Sequence, residues 1–109
     1  MTREEIIKNT KEIIIDELKK YGYKEKEIIL FGSRAKGCEK PDSDWDFYVI
    51  VDKYIDFKIK KKIIGAIQMK LAEKNIFADI LINDYFTYER LKNEKTTISY
   101  ITQTEGIRI

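Results

Sequence analysis

Three aspartates and one Gly-Ser pair are the residues of this chain best suited to chemistry. Asp44 and Asp46 stand two apart at the head of Asp44-Trp45-Asp46-Phe47-Tyr48-Val49-Ile50-Val51. In an extended strand that spacing points both side chains to one face. Asp79 interrupts Ile76-Phe77-Ala78-Asp79-Ile80-Leu81-Ile82, where an apolar residue is expected. A carboxylate held among apolar neighbours is costly in its charged form or becomes neutral. Three carboxylates on neighbouring strands repel one another unless a cation lies between them. Carboxylate oxygens, in a chain with no histidine, suit Mg²⁺ and also Mn²⁺. Magnesium favours phosphate-bearing substrates, which points to phosphoryl or nucleotidyl transfer. Taken alone, Asp44 and Asp46 read as the solvated start of a strand after Pro41-Asp42-Ser43. Asp79 tips the reading to a metal.

The spacing of Asp42, Asp44 and Asp46 also suits the first positions of a calcium loop. That reading fails at Phe47, where such a loop needs Gly, and at Lys53, where it needs a bidentate Glu. The second chemical element is Phe31-Gly32-Ser33-Arg34-Ala35-Lys36-Gly37. A Gly-Ser pair leaving a strand and opening a helical turn presents backbone N–H groups and a hydroxyl to an anion. Gly32 lets a phosphate approach the backbone, and Arg34 and Lys36 add positive charge. By itself the segment reads better as an ordinary strand-to-helix turn. It lacks the Gly-Lys-Ser/Thr ending of a Walker loop.

The elements that must position these residues are legible. Thr2-Arg3-Glu4-Glu5 is a capping box, and Ile6, Ile7, Ile13, Ile14, Leu18 and Tyr21 follow near a helical period until Gly22. Residues 27–31 read as a short buried strand, and 33–37 as one or two helical turns. Residues 44–52 read as a second strand. Ile55, Ile59, Ile63, Ile67 and Leu71 form one helical stripe to about residue 74, and 76–82 a third strand. Asn83 or Asp84 caps a short helix to Lys92. Residues 97–105 read as a last helix ended by Gly106, with 107–109 as an edge strand. This alternation predicts an α/β (α+β) domain with a small mixed β-sheet flanked by helices, a single domain over residues 1–109. Trp45, Phe47 and Tyr48 are expected mostly in the core, and the lysines at 58–62 on a solvated helix face.

Composition narrows the chemistry. The chain has 109 residues, 21 basic against 19 acidic, for a net charge of +2. That balance gives no reason to expect an extended nucleic-acid surface. No window of about 18 apolar residues occurs, and no leader is read at the start, so a cytoplasmic protein without a membrane is expected. The lone cysteine, Cys38, and the absence of histidine remove disulfide frameworks, Cys/His zinc sites and histidine bases.

Together the two elements give Gly-Ser-x10-Asp-x-Asp from Gly32 to Asp46. With Arg34, Ala35, Gly37 and Ser43, this segment resembles the signature of the DNA polymerase β-like nucleotidyltransferase superfamily. Its wording and the short chain are most similar to the minimal nucleotidyltransferase (MNT) branch. Asp79 matches that family's third carboxylate. The resemblance implies the polymerase β-like nucleotidyltransferase fold. It implies Asp44, Asp46 and Asp79 as catalytic ligands of two Mg²⁺ ions, and Gly32 and Ser33, with Arg34 as a lesser candidate, as binders of ATP phosphates. It implies in-line attack at the α-phosphate with loss of pyrophosphate.

A chain of this length leaves little beyond the catalytic layer, so a partner or acceptor is expected to complete the site. In the MNT branch that partner is a small helical HEPN-domain protein encoded nearby, often a toxin. The resemblance therefore implies an antitoxin of a type VII-like toxin–antitoxin pair, moving AMP from ATP to a tyrosine hydroxyl of the HEPN protein in a shared oligomer. A binding antitoxin without catalysis, and a small-molecule nucleotidyltransferase of the antibiotic-modifying kind, are the alternatives. The latter usually carries a second domain for its acceptor.

Overall fold

The computed structural model describes residues 1–109. Helix α1 (Arg3–Lys20) begins where the capping box requires: Thr2 Oγ1 accepts from the Glu5 amide at 3.1 Å, and Glu5 Oε1 accepts from the Thr2 amide at 3.1 Å. Strand β1 (Glu25–Phe31) leads into the single-turn α2 (Ser33–Lys36). Strand β2 (Trp45–Val51) is followed by α3 (Phe57–Glu73), which Asp56 caps through the Ile59 amide. Strand β3 (Ala78–Asp84) runs directly into α4 (Tyr85–Leu91). Asp84 closes the strand and caps the helix, accepting from the Thr87 amide at 2.8 Å. Helix α5 (Ile98–Glu105), capped by Thr97, ends at Gly106 before the two-residue β4 (Ile107–Arg108).

The sheet order is β3-β2-β1-β4, with β2 and β3 parallel and the other pairs antiparallel. Strand alternation sorts its side chains to two faces. One face carries Ile28, Leu30, Phe47, Val49, Ile80 and Ile82, and buries them against Ile14 and Leu18 of α1 and Ile63, Ile67 and Leu71 of α3. The second face carries Ile29, Phe31, Tyr48 and Ile50, packed against Tyr88 of α4 and Ile98 of α5. No helix is long and apolar enough to cross a membrane.

The expected elements are present, with two shifts that matter for the site. The third strand is Ala78–Asp84, not 76–82. Asp44 lies one residue before β2, in the loop that enters it. The carboxylate expected to be enclosed, Asp79, is exposed. Strand β3 lies at the sheet edge, and its burial alternates: Ile80, Ile82 and Asp84 point inward while Asp79 and Leu81 face solvent. An apolar run around one Asp therefore marks a one-sided edge strand here, not a strand buried on both faces.

Candidate active site

The end of β1 and the beginnings of β2 and β3 meet at one corner of the sheet. Phe31 is the register partner of Asp46, and Asp46 of Asp79. Directly paired residues share a face, so the two carboxylates stand side by side on adjacent parallel strands, on the second face. Asp46 is half-buried, whereas Asp79 and Asp44 are exposed. Burial pushes the Asp46 carboxyl above its ordinary pKa range, and the negative charges of Asp79 and then Asp44 push it further. A site that resists its own ionisation in this way is stabilised by a cation.

The Gly-Ser turn closes the corner. Gly32 has φ of 74° and ψ of −160°, a conformation that L side chains rarely adopt. A β-carbon there would collide with Oδ2 of Asp46, whose Cγ would be only 3.2 Å away. The glycine thus brings the backbone of the turn into contact with the half-buried carboxylate. The Gly32 carbonyl accepts from the Ala35 and Lys36 amides at 3.1 and 3.2 Å, which winds α2 away from the turn. Gly37, also at positive φ, ends that helix.

Does this donor set fit magnesium? No group of three or more His, Cys, Asp or Glu side chains is arranged so as to hold a metal ion by itself. Three carboxylates round an open corner, one of them destabilised as an anion by the other two, nonetheless fit Mg²⁺. That ion keeps several waters and is completed by substrate phosphates rather than by an all-protein cage. The residues present fit the ion on the chemistry of their oxygens.

Arg34 is placed differently from Gly32 and Ser33. Its Nε and Nη2 both donate to the Ser43 carbonyl, at 3.2 and 2.7 Å. Its guanidinium lies 4.5 Å from the Trp45 ring centroid. Lys36 pairs with Glu105 at 3.3 Å, near the end of α5. Sequence reasoning took Trp45 as core only. It is buried, but its ring also receives Arg34 and, at 5.7 Å, Arg3. Nothing in the local sequence signals that role, since Arg3 and Trp45 meet only through the fold. Trp45 and Phe47 stack at 6.3 Å on the first face, and Tyr48 is fully buried on the second, so none of the three forms an open stacking platform.

The largest surface cavity, about 310 Å³, is remote from these carboxylates. It is lined by Lys26, Glu27, Ile50, Tyr88 and Arg108 among others, at the opposite end of β1 and β2. A groove of about 90 Å³ lies at the loop entering β2, lined by Arg34, Asp42, Ser43, Asp44, Trp45 and Phe77 among others; of the three carboxylates only Asp44 lines it.

A family described as nucleotidyltransferase domain matches residues 7–106. No curated protein matches the chain. Two solved structures are similar in fold. One is a toxin–antitoxin crystal structure with AMP-PNP: 22% identity, 89% of this chain and 69% of that one, TM-score 0.59. The other is a toxin–antitoxin MntA–HpeT mutant with two Asp-to-Glu replacements: 18% identity, 91% of this chain and 70% of that one, TM-score 0.56. At such identities the likeness establishes the fold. The family match spans nearly the whole chain, from α1 to the end of α5, and encloses the Gly-Ser turn and all three aspartates, so this protein belongs to the nucleotidyltransferase domain family.

Proposed function

We propose that this protein is the antitoxin of a toxin–antitoxin pair and transfers AMP from ATP to a tyrosine hydroxyl of a helical HEPN-domain partner. The observation that carries the reading is the pairing of Asp46 with Asp79 across the parallel β2–β3 ladder, with Gly32 pressed against Asp46. Phosphate-binding backbone and carboxylates are thereby brought within one substrate's reach. The toxin–antitoxin neighbours, one of them with AMP-PNP, support a partner protein and an adenine nucleotide.

In this reading Asp44, Asp46 and Asp79 hold Mg²⁺. When bound, the ion neutralises charge at the α-phosphate and lowers the pKa of the attacking hydroxyl. Gly32 and Ser33 hold the β- and γ-phosphates through backbone N–H groups and the Ser33 hydroxyl, which fixes the leaving group in line with the attack. Asp79, on the solvent side, takes the hydroxyl proton as the oxygen approaches phosphorus. The new bond joins the tyrosine oxygen to the α-phosphorus, the α–β bridge breaks, and pyrophosphate and a proton leave.

Incubation with α-labelled ATP, Mg²⁺ and the product of the neighbouring gene tests this directly. Label is expected on a tyrosine of that partner, and none with Asp44→Asn/Asp46→Asn. An active partner that stays unlabelled in the presence of wild-type protein would sink the reading. The exposure of Asp44 and Asp79 favours a second one, neutralisation by binding alone. That reading gains if the double Asn variant still silences the partner.

A further inference from the structure

We propose that Arg34 is a positioning residue, which fixes the loop entering β2 so that Asp44 is presented beside Asp46. This rests on the metal-dependent reading above, but its evidence is separate. Asp44 is the one carboxylate of the three outside a strand. The peptide group that follows it is held by the sheet, the Trp45 amide donating to the Phe77 carbonyl at 3.0 Å, but no ladder hydrogen bond holds the peptide group that enters it. The preceding turn closes on itself: the Ser43 amide donates to the Lys40 carbonyl at 3.0 Å, and Ser43 Oγ accepts from the Lys40 amide at 2.9 Å. That shapes the turn without anchoring it to the fold.

On the loop side the anchor is the Arg34 fork. Both Nε and Nη2 converge on the Ser43 carbonyl, which belongs to the peptide group joining Ser43 to Asp44. The planar face rests on Trp45, the residue just after Asp44. Asp44 is thus bracketed on both sides by contacts of one side chain. Arg34 is itself held: its carbonyl accepts from Arg3 Nη1 at 2.9 Å, and Arg3 also lies over Trp45. Since Arg34 directly follows Ser33, the same residue ties the phosphate turn to the metal-binding loop. Two of its three guanidinium nitrogens are already engaged, so it is poorly placed as a phosphate ligand. Only a planar donor that both forks and stacks can do this. Lysine offers a point charge without a stacking face.

Arg34→Lys and Trp45→Phe separate this role from phosphate binding. Amide exchange over residues 38–44 is expected to quicken by about 10-fold in Arg34→Lys, the loss of a charge-assisted hydrogen bond. Mn²⁺ affinity, read by electron paramagnetic resonance with α,β-methylene ATP, is expected to weaken by a similar factor of about 10. In a transfer assay kcat falls while KM for ATP stays within about twofold. Trp45→Phe shifts the same readouts in the same direction, by less. A raised KM for ATP with unchanged exchange and Mn²⁺ affinity would make Arg34 a phosphate ligand and overturn the proposal. So would unchanged behaviour throughout. If the wild-type protein transfers no nucleotide, the proposed activity fails, whereas exchange and Mn²⁺ affinity still decide the role of Arg34.

Discussion

At the scale of single residues, Gly32 is the position where chemistry excludes a side chain. Its positive φ and its contact with the Asp46 carboxylate each forbid a β-carbon. Gly32→Ala must either move the turn or push Asp46 off the Asp79 register. The backbone strain alone is expected to cost about 1–3 kcal/mol. The loss at the site should be larger than the loss of fold. Urea denaturation should show a modestly destabilised, still cooperative protein whose Mn²⁺ affinity has nearly vanished. Wild-type affinity in a destabilised variant would mean that the turn does not bear on the carboxylates.

At the scale of elements, α1 and α3 are joined by more than their apolar stripes. Glu17 of α1 is buried, yet ionised partners reach it from both helices: Lys20 at 3.0 Å and Lys70 of α3. The Lys70 hydrogen bond lowers its pKa, burial opposes this, and Lys20 assists. A carboxylate whose pKa is lower folded than unfolded stabilises the fold above its unfolded pKa. That contribution is lost as pH falls through the folded value. Wild type should therefore exceed Glu17→Gln in melting temperature at neutral pH, and the gap should close below about pH 4. A gap independent of pH would assign Glu17 a packing role only. Lys70→Met leaves Glu17 with Lys20 alone and should lower the melting temperature at neutral pH, by less as Glu17 is protonated.

At the scale of the whole molecule, one polar chain links helices from both sides of the sheet. Lys60 of α3 donates to Asn83 Oδ1 at 3.2 Å, and Asn83 Nδ2 donates to the Tyr48 hydroxyl at 3.0 Å. That hydroxyl shares a hydrogen bond of 2.8 Å with Ser99 of α5. Tyr48 lies two residues beyond Asp46 on the same face, so the chain pins β3 and α5 to β2 just behind the site. Tyr48→Phe keeps the ring and strands Asn83 and Ser99. A cost of about 1–3 kcal/mol is expected in denaturant unfolding, together with faster amide exchange in α5. Unchanged stability would mean that water replaces the hydroxyl freely. The second face beyond Tyr48, at Asp79 and Leu81, remains open to solvent.

Local rules made much of this protein readable from its sequence. Thr2 and Asp84 cap their helices because a short polar side chain meets an amide three residues on. The stripe from Ile59 to Leu71 and the glycines at 22, 37 and 106 mark element faces and ends for the same short-range reasons, whereas Ile55, expected on that stripe, lies before the helix that Asp56 caps. The order Gly-Ser, Asp-x-Asp, Asp pointed to nucleotidyl transfer through its resemblance to a family signature rather than through the residue types alone, and the match to the nucleotidyltransferase domain agrees. Tertiary structure alone decided how those residues meet. Whether Asp79 is enclosed or exposed depends on β3 lying at an edge, and its partnership with Asp46 depends on a parallel register set by distant packing. Charge beside a Gly-Ser turn made Arg34 a lesser candidate for phosphate, with a solvated side chain as the equal alternative. Its neighbours in the fold, the Ser43 carbonyl and the Trp45 ring, come together only when the loop folds back, and no local pattern encodes the direction in which a long side chain will turn.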